Sequence, residues 1–259
     1  MISLKVNGME YLEKMPMPVY WRACTDNDRG NGHGARCAPW MVATRYQRCQ
    51  GFHLEEEEGR VTMTFFYQWP GSQAQVETAY TVSGDGKIRV RMRYSGADDM
   101  PELPVFGLSF HLPADLEQVR FYGMGPEENY QDRVHGARLG VYNKTVSGNL
   151  SQYVTPQECG NRTGVRWAWI HDGQGKGLYL EKDNQPFELG FLHYDWMELE
   201  NAAHPDELPP VHDTVVTVMA KQMGVGGDDS WWARVHEEYL IPSDQPLSFS
   251  FIIDTAYHE

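Results

Sequence analysis

The stretch Lys87–Tyr94, "KIRVRMRY", alternates without a break. Ile88, Val90, Met92 and Tyr94 fall on one side of a period-two pattern, and Lys87, Arg89, Arg91 and Arg93 on the other. An extended chain sends neighbours to opposite faces, so this reads as a half-buried antiparallel strand with a core face and a cationic face. The same period returns outward in both directions. Val61, Met63, Phe65, Tyr67 and Trp69 alternate in "RVTMTFFYQW", Phe106, Leu108, Phe110 and Leu112 in "VFGLSFHL", and Leu247, Phe249, Phe251 and Ile253 in "LSFSFII". "VRWAWIHD", "KGLYLEKD" and "TVVTVMAKQM" read as further strands. Between them lie turn signals, of which "SGDGK" predicts a hairpin between Val82 and Ile88. A short helix is expected only in "APWMVATRYQRC", and the acidic "LEEEEG" (Leu54–Gly59) reads as a solvated turn. The expected fold is all-β and antiparallel, a sandwich or barrel, with residues 1–259 forming one domain of two large packed sheets.

Composition narrows the function classes. The 259 residues are 41% hydrophobic and 12% aromatic, enough for a sizeable core. A formal net charge of −14 repels polyanions, which argues against nucleic acid or an anionic membrane as partner. The N-terminal "MISLKVNGMEYL" has no basic segment ahead of an apolar run, and no window is apolar enough to span a membrane. Cys24, Cys37, Cys49 and Cys159 lie far apart, in a spacing of neither a zinc site nor a disulfide framework. A reduced, cytoplasmic setting is expected.

Four stretches carry more polar and aromatic groups than strand turns require: Tyr20–Trp40, "YWRACTDNDRGNGHGARCAPW"; Gly123–Arg133, "GMGPEENYQDR"; Tyr153–Trp167, "YVTPQECGNRTGVRW"; and Gly224–Trp232, "GVGGDDSWW". The alternating Gly30, Gly32 and Gly34 make the first a candidate mobile loop, unless its Asp and Asn residues merely cap local turns. For the second and third, a hydrogen-bonded structural loop is favoured over a functional one. In the fourth, an indole beside Asp228 and Asp229 on a glycine-rich turn suits a sugar, whose C–H faces stack on rings and whose hydroxyls need carboxylates. Alternatively "WWARVHEEYLI" is a strand, in which only one of Trp231 and Trp232 faces the core. There is no P-loop, GxGxxG, HExxH or GxSxG, the ten histidines show no ligand spacing, and no pair of carboxylates stands out as acid and nucleophile.

In this order and spacing, "WRACTDNDRG", "GPEENYQDR", "YVTPQECGNR" and "GVGGDDSW" resemble the C-terminal domain of the large bacterial β-galactosidases of glycoside hydrolase family 2, a region that is a separate small subunit in some lactic-acid bacteria. The resemblance runs from about Val6 to Ile253. It implies a β-supersandwich similar to galactose mutarotases. It also implies that two glutamates and a magnesium ion on a TIM barrel elsewhere do the chemistry, so that this chain holds no catalytic residue, metal or cofactor. The implied partners are that barrel-bearing chain or upstream domains, in a hetero- or homo-oligomer, and a β-galactoside. Trp231 matches the family's tryptophan that walls the sugar pocket, and Gly30 matches the glycine that opens a mobile loop. The loop "GNGHGARCAP" and Trp232 depart from the family pattern. Stacking on Trp231 would contribute about 1–2 kcal/mol, and Asp228 and Asp229 would fix the turn. An exposed apolar patch of more than a few hundred Å² is then expected. The competing readings are a mutarotase-like epimerase using His111, His171 or His193, and a free carbohydrate-binding module.

Overall fold

The structure is a computed structural model that describes residues 1–6, 8–229 and 231–255. Ser230, inside the fourth motif, lies outside the described residues. A short ladder of β1 (Lys5–Val6) and β2 (Met9–Glu10) precedes β3 (Lys14–Val19). The helices α1 (Asp26–Gly30), α2 (His33–Arg36) and α3 (Ala38–Tyr46) follow. A meander then runs through β4 (Arg48–Glu57), β5 (Arg60–Gln68), β6 (Val76–Ser83) and β7 (Lys87–Tyr94). Next come β8 (Val105–Pro113), β9 (Gln118–Gly125), β10 (Arg138–Thr145), β11 (Arg162–Val165), β12 (Trp167–His171), β13 (Gly177–Lys182) and β14 (Phe187–Leu192). Helix α4 (Trp196–Asn201), β15 (Asp213–Gln222) and β16 (Leu247–Asp254) complete the order.

Among the described residues, nine strands form one large sheet, in the order β10-β9-β12-β13-β16-β7-β6-β5-β4, and five form a second, β11-β14-β15-β8-β3, apart from the two-stranded β1-β2 ladder. Every ladder is antiparallel. In β7 the apolar set Ile88, Val90, Met92 and Tyr94 is buried and the three arginines are exposed, as the alternation requires. That face meets the five-stranded sheet through aromatic contacts such as Phe106–Phe249 at 5.7 Å and Phe110–Phe251 at 6.2 Å between centroids. Strand β8, flanked by β15 and β3, is buried on both faces at Val105–Leu108. Its outer side packs with Val19 and Met219 under Trp196 of α4, a helix held by an Asp195–Glu198 capping box.

The unequal sheets leave apolar surface uncovered. Register pairs Phe52 with Phe65, Leu54 with Met63 and Val61 with Val82, so these side chains share the core-facing side of β4, β5 and β6. Phe52, Leu54, Val61 and Val82 are nonetheless exposed. Two local expectations are corrected. Leu54–Glu57 ends the edge strand β4 rather than forming a turn. Residues 231–236 are irregular, so "WWARVHEEYLI" is not a strand. A capping box of Thr25 and Asp28 starts α1, which ends at Gly30, and His33–Arg36 of the glycine-rich stretch form the short turn α2. No helix among the described residues is long and apolar enough to cross a membrane.

Candidate functional site

The pairings Val19↔Gly107 and Gln222↔Val105 bring the C-terminal ends of β3 and β15 to the N-terminal end of β8. The first and fourth motifs therefore leave the five-stranded sheet side by side. Arg22 joins them. Its guanidinium meets Asp28 at 3.1 and 3.2 Å and donates to the carbonyls of Met223 at 2.7 Å and Gly224 at 2.8 Å. Both ionic side chains are 1% exposed, so the pair is screened by protein alone. Arg22 holds the Asp28 carboxyl below its usual range, against the opposing effect of burial. Asn27 Nδ2 adds a bond to the Val225 carbonyl at 2.9 Å.

The other two motifs close the ring. Asp26 and Gln157 exchange hydrogen bonds, with the Asp26 N–H donating at 2.9 Å and Gln157 Nε2 returning to Oδ2 at 3.1 Å. Glu128 accepts from the Gly160 N–H at 2.7 Å, Tyr153 Oη at 2.8 Å and Arg133 at 2.8 Å. Asp132 accepts from the Gly226 N–H at 2.6 Å, and Gln131 Nε2 donates to the Gln222 carbonyl. Thus four stretches scattered over the sequence form one hydrogen-bonded cluster. It surrounds a cavity of about 400 Å³, lined from the first by Thr25, Asp26 and Asn27 and from the fourth by Val225 and Gly226. Tyr130, Arg133, Tyr153, Gln157 and Glu158 supply the rest.

Two further carboxyls belong to this region, Glu158 in the cavity lining and the buried Glu188 beside Asn161. Burial pushes Glu158 up to about 7, although Arg22 opposes it, and Glu158 accepts from Gln222 Nε2 at 3.0 Å and Tyr130 Oη at 3.3 Å. Burial likewise pushes Glu188 up to about 8, with Asn161 Nδ2 donating to it at 2.9 Å. Neither residue stood out individually, because Glu158 lies in an irregular stretch of the third motif and Glu188 is a single carboxyl near the start of β14, and neither position carries a spacing signal.

The tryptophans are not among the residues that line the cavity. Trp231 is 59% exposed and Trp232 72%. Their backbone is held by Asp229, whose Oδ1 accepts from the N–H groups of Trp231 at 3.0 Å, Trp232 at 2.8 Å and Ala233 at 3.0 Å. Those three donors keep the Asp229 carboxyl below its usual range. Asp228 takes no part in this and instead meets His236 Nε2 at 2.8 Å. Gly30 packs directly under the Trp231 backbone, so close that a Cβ there would lie 1.8 Å from the Trp231 carbonyl oxygen. Trp231, Asp229 and Gly30 thus form one local unit.

The histidines considered for epimerase chemistry do not converge here. His171 stacks on Trp169 at 3.8 Å, at the end of the larger sheet. His111 binds Asp213 at 2.8 Å. His193 Nε2 meets Glu117 at 2.7 Å and Ser147 at 3.1 Å, and its Nδ1 is taken by the Asp213 carbonyl at 2.9 Å. An imidazole engaged at both nitrogens has no open position for a substrate proton.

A metal-ligand spacing is present that the reading of the sequence missed. His33 and Cys37, four residues apart on the α2 turn, lie with Glu102 in a group whose ligand atoms are all within 4.8 Å of one another. All four cysteines are free thiols, and Cys37 is fully buried.

A family model described as beta galactosidase small chain matches residues 1–253. A beta-galactosidase of Halalkalibacterium halodurans is 48% identical over 258 residues, covering 98% of this chain and 25% of its own length. A beta-galactosidase of Streptococcus thermophilus is 38% identical over 255 residues, with 98% and 25% covered. A beta-galactosidase small subunit of Latilactobacillus sakei is 35% identical over 282 residues, with 97% of this chain and 88% of its own length covered. The chain therefore spans about a quarter of the first two relatives and most of the third. Among solved structures, a putative aldose 1-epimerase of Escherichia coli K12 is 10% identical, with 78% and 67% covered and a TM-score of 0.37.

Proposed function

The chain belongs to the beta galactosidase small chain family, and from that premise we propose that it has no catalytic groups of its own and completes the galactoside pocket of an assembled, cytoplasmic β-galactosidase of the glycoside hydrolase family 2 type. A partner chain or upstream domains carry the barrel, its two glutamates and its magnesium. The present chain, acting as a single domain, adds a wall. The observation that carries this reading is the Trp231 indole, presented to solvent on a backbone fixed from below by Gly30 and from the side by Asp229. An indole left open at that cost in apolar exposure is suited to stacking on a sugar face. The cluster of the four motifs keeps Glu128, Asp26 and Asp132 in structural bonds, which favours a supporting role over chemistry. The uncovered Phe52, Leu54, Val61 and Val82 face supports a large apolar contact with the partner.

The test combines the purified chain with a barrel-bearing large chain of a relative and follows hydrolysis of lactose and an aryl β-galactoside. Cleavage is expected from the mixture and not from this chain alone. In the mixture, Trp231→Ala should raise KM roughly tenfold, the loss of about 1–2 kcal/mol of stacking. Cleavage by the chain alone, or an unaltered KM across several galactosides, would defeat the reading. Polarimetry with α-galactose on the lone chain should show no acceleration of mutarotation.

A further inference from the structure

The turn α2, next after the one that supports Trp231, carries part of a group of side chains that the role above leaves unused. In α2 the Cys37 N–H donates to the His33 carbonyl at 2.8 Å, so the two side chains sit one helical turn apart on the same face. Glu102 approaches from the segment before β8. That segment is pinned on both sides, by Trp40 Nε1 donating to the Pro101 carbonyl at 2.9 Å and by the Leu103 N–H donating to Ile241 at 2.9 Å. The three ligand atoms already lie within 4.8 Å of one another. A separate observation points to a ligand. His33 is fully buried and stacked on Trp21 at 5.5 Å, yet neither of its ring nitrogens has a hydrogen-bond partner among the described residues. Buried imidazoles are normally paired, and an apolar residue would fill the same space without two orphaned polar atoms.

We propose that His33, Cys37 and Glu102 bind one divalent ion of the zinc type. An imidazole nitrogen, a thiolate and a carboxylate are the donor set of a borderline-soft ion, whereas magnesium and calcium prefer oxygen throughout. Three protein ligands leave a fourth position for water. On binding, the Cys37 S–H bond breaks, its proton leaves to solvent and a sulfur–metal bond forms, with no change of oxidation state. The thiolate and carboxylate then balance the ion's charge in a buried setting. Arg36 Nε, 2.7 Å from Oε1 of Glu102, orients the carboxylate and leaves Oε2 for the metal. The ion would tie the α2 turn to the 101–104 segment and so stiffen the support beneath Trp231.

The test is a titration of the full chain with cobalt(II) as a spectroscopic probe, followed by displacement with zinc. One equivalent of cobalt should produce a thiolate-to-metal charge-transfer band in the near ultraviolet, which zinc removes. Cys37→Ser should lose the band, while Cys49→Ser, at the exposed cysteine, should keep it. If Cys37→Ser does not fold, Glu102→Gln should still weaken zinc affinity by roughly tenfold or more. No cobalt band in the parent chain would overturn the proposal, as would a band lost with Cys49→Ser and kept with Cys37→Ser, or zinc affinity unchanged by Glu102→Gln.

Discussion

Gly30 and Trp231 touch through bare backbone: a Cβ on the glycine would stand 1.8 Å from the tryptophan's carbonyl oxygen. No side chain fits there, so the contact fixes where the 231 peptide can lie. Gly30→Ala should therefore push that peptide outward, at an overpacking cost of about 1–3 kcal/mol. Gly32 is the internal comparison. It has a φ of +74° and nothing within 4 Å of a built Cβ, so Gly32→Ala should cost only ~1 kcal/mol of backbone strain. Urea denaturation gives the two stabilities, and the Trp231 indole N–H resonance should shift in the first variant and stay in the second. A Trp231 signal unmoved by Gly30→Ala would show that the contact does not position the indole.

The Arg22–Asp28 pair is the junction between the first and fourth motifs, and its worth lies in being complete. Removing one partner leaves a buried charge without its hydrogen-bonded counter-ion, which typically costs about 3–5 kcal/mol. Asp28→Asn should be destabilising on that scale. Arg22→Lys should be nearly as harmful, since an ammonium cannot serve the Asp28 carboxylate and the Met223 and Gly224 carbonyls together. A double-mutant cycle with Asp28→Asn and Arg22→Met measures the coupling. Additive effects would mean that the two residues act independently.

The strands were legible because their cores are one-sided. In β7 each apolar position is buried and each arginine exposed, so period two carried the answer. β8 was legible in part. Its even positions face the other sheet as expected, but Val105 is buried as well, because α4 and Trp196 cover the outer side. Covering by a distant segment leaves no trace in local alternation. In the candidate site, Trp231 and Gly30 stood out by motif, while their contact depends on the ends of β3 and β15 meeting at β8. Asp228 and Asp229 looked equivalent as neighbours and are not, since only Asp229 turns back onto the following N–H groups. Glu158, Glu188 and Glu102 were invisible, because burial and partners are made by tertiary packing.

Glu188 gives a pH dependence whose sign follows from burial. Its carboxyl is pushed up from 4.5 to about 8, so the folded chain keeps a proton that the unfolded chain has already released. The stability linked to that proton is fully present below about 4.5 and is lost as pH rises through about 8. Glu188→Gln imitates the protonated form and retains an acceptor for Asn161. At pH 8 the variant should exceed the parent by roughly 1–3 kcal/mol, and near pH 4.5 the two should converge. Chemical denaturation at several pH values tests this. Parallel curves would place the titration elsewhere.

Asp229 separates the fold from the presentation of the indoles. Its single oxygen collects the N–H groups of Trp231, Trp232 and Ala233, which otherwise have only solvent to bond, whereas Asp228 points to His236. The hydrogen bonds of Asp229 stay within its own turn, so Asp229→Ala should leave the global unfolding transition almost unchanged. What should change is local. Amide exchange at 231, 232 and 233 should accelerate, and in the assembled enzyme galactoside KM should rise part of the way toward that of Trp231→Ala, because an unfixed indole must be ordered on binding. Asp228→Asn, which disturbs only the His236 contact, should alter neither reading. Were Asp229→Ala to leave exchange at these three amides untouched, the turn would be held by Gly30 alone.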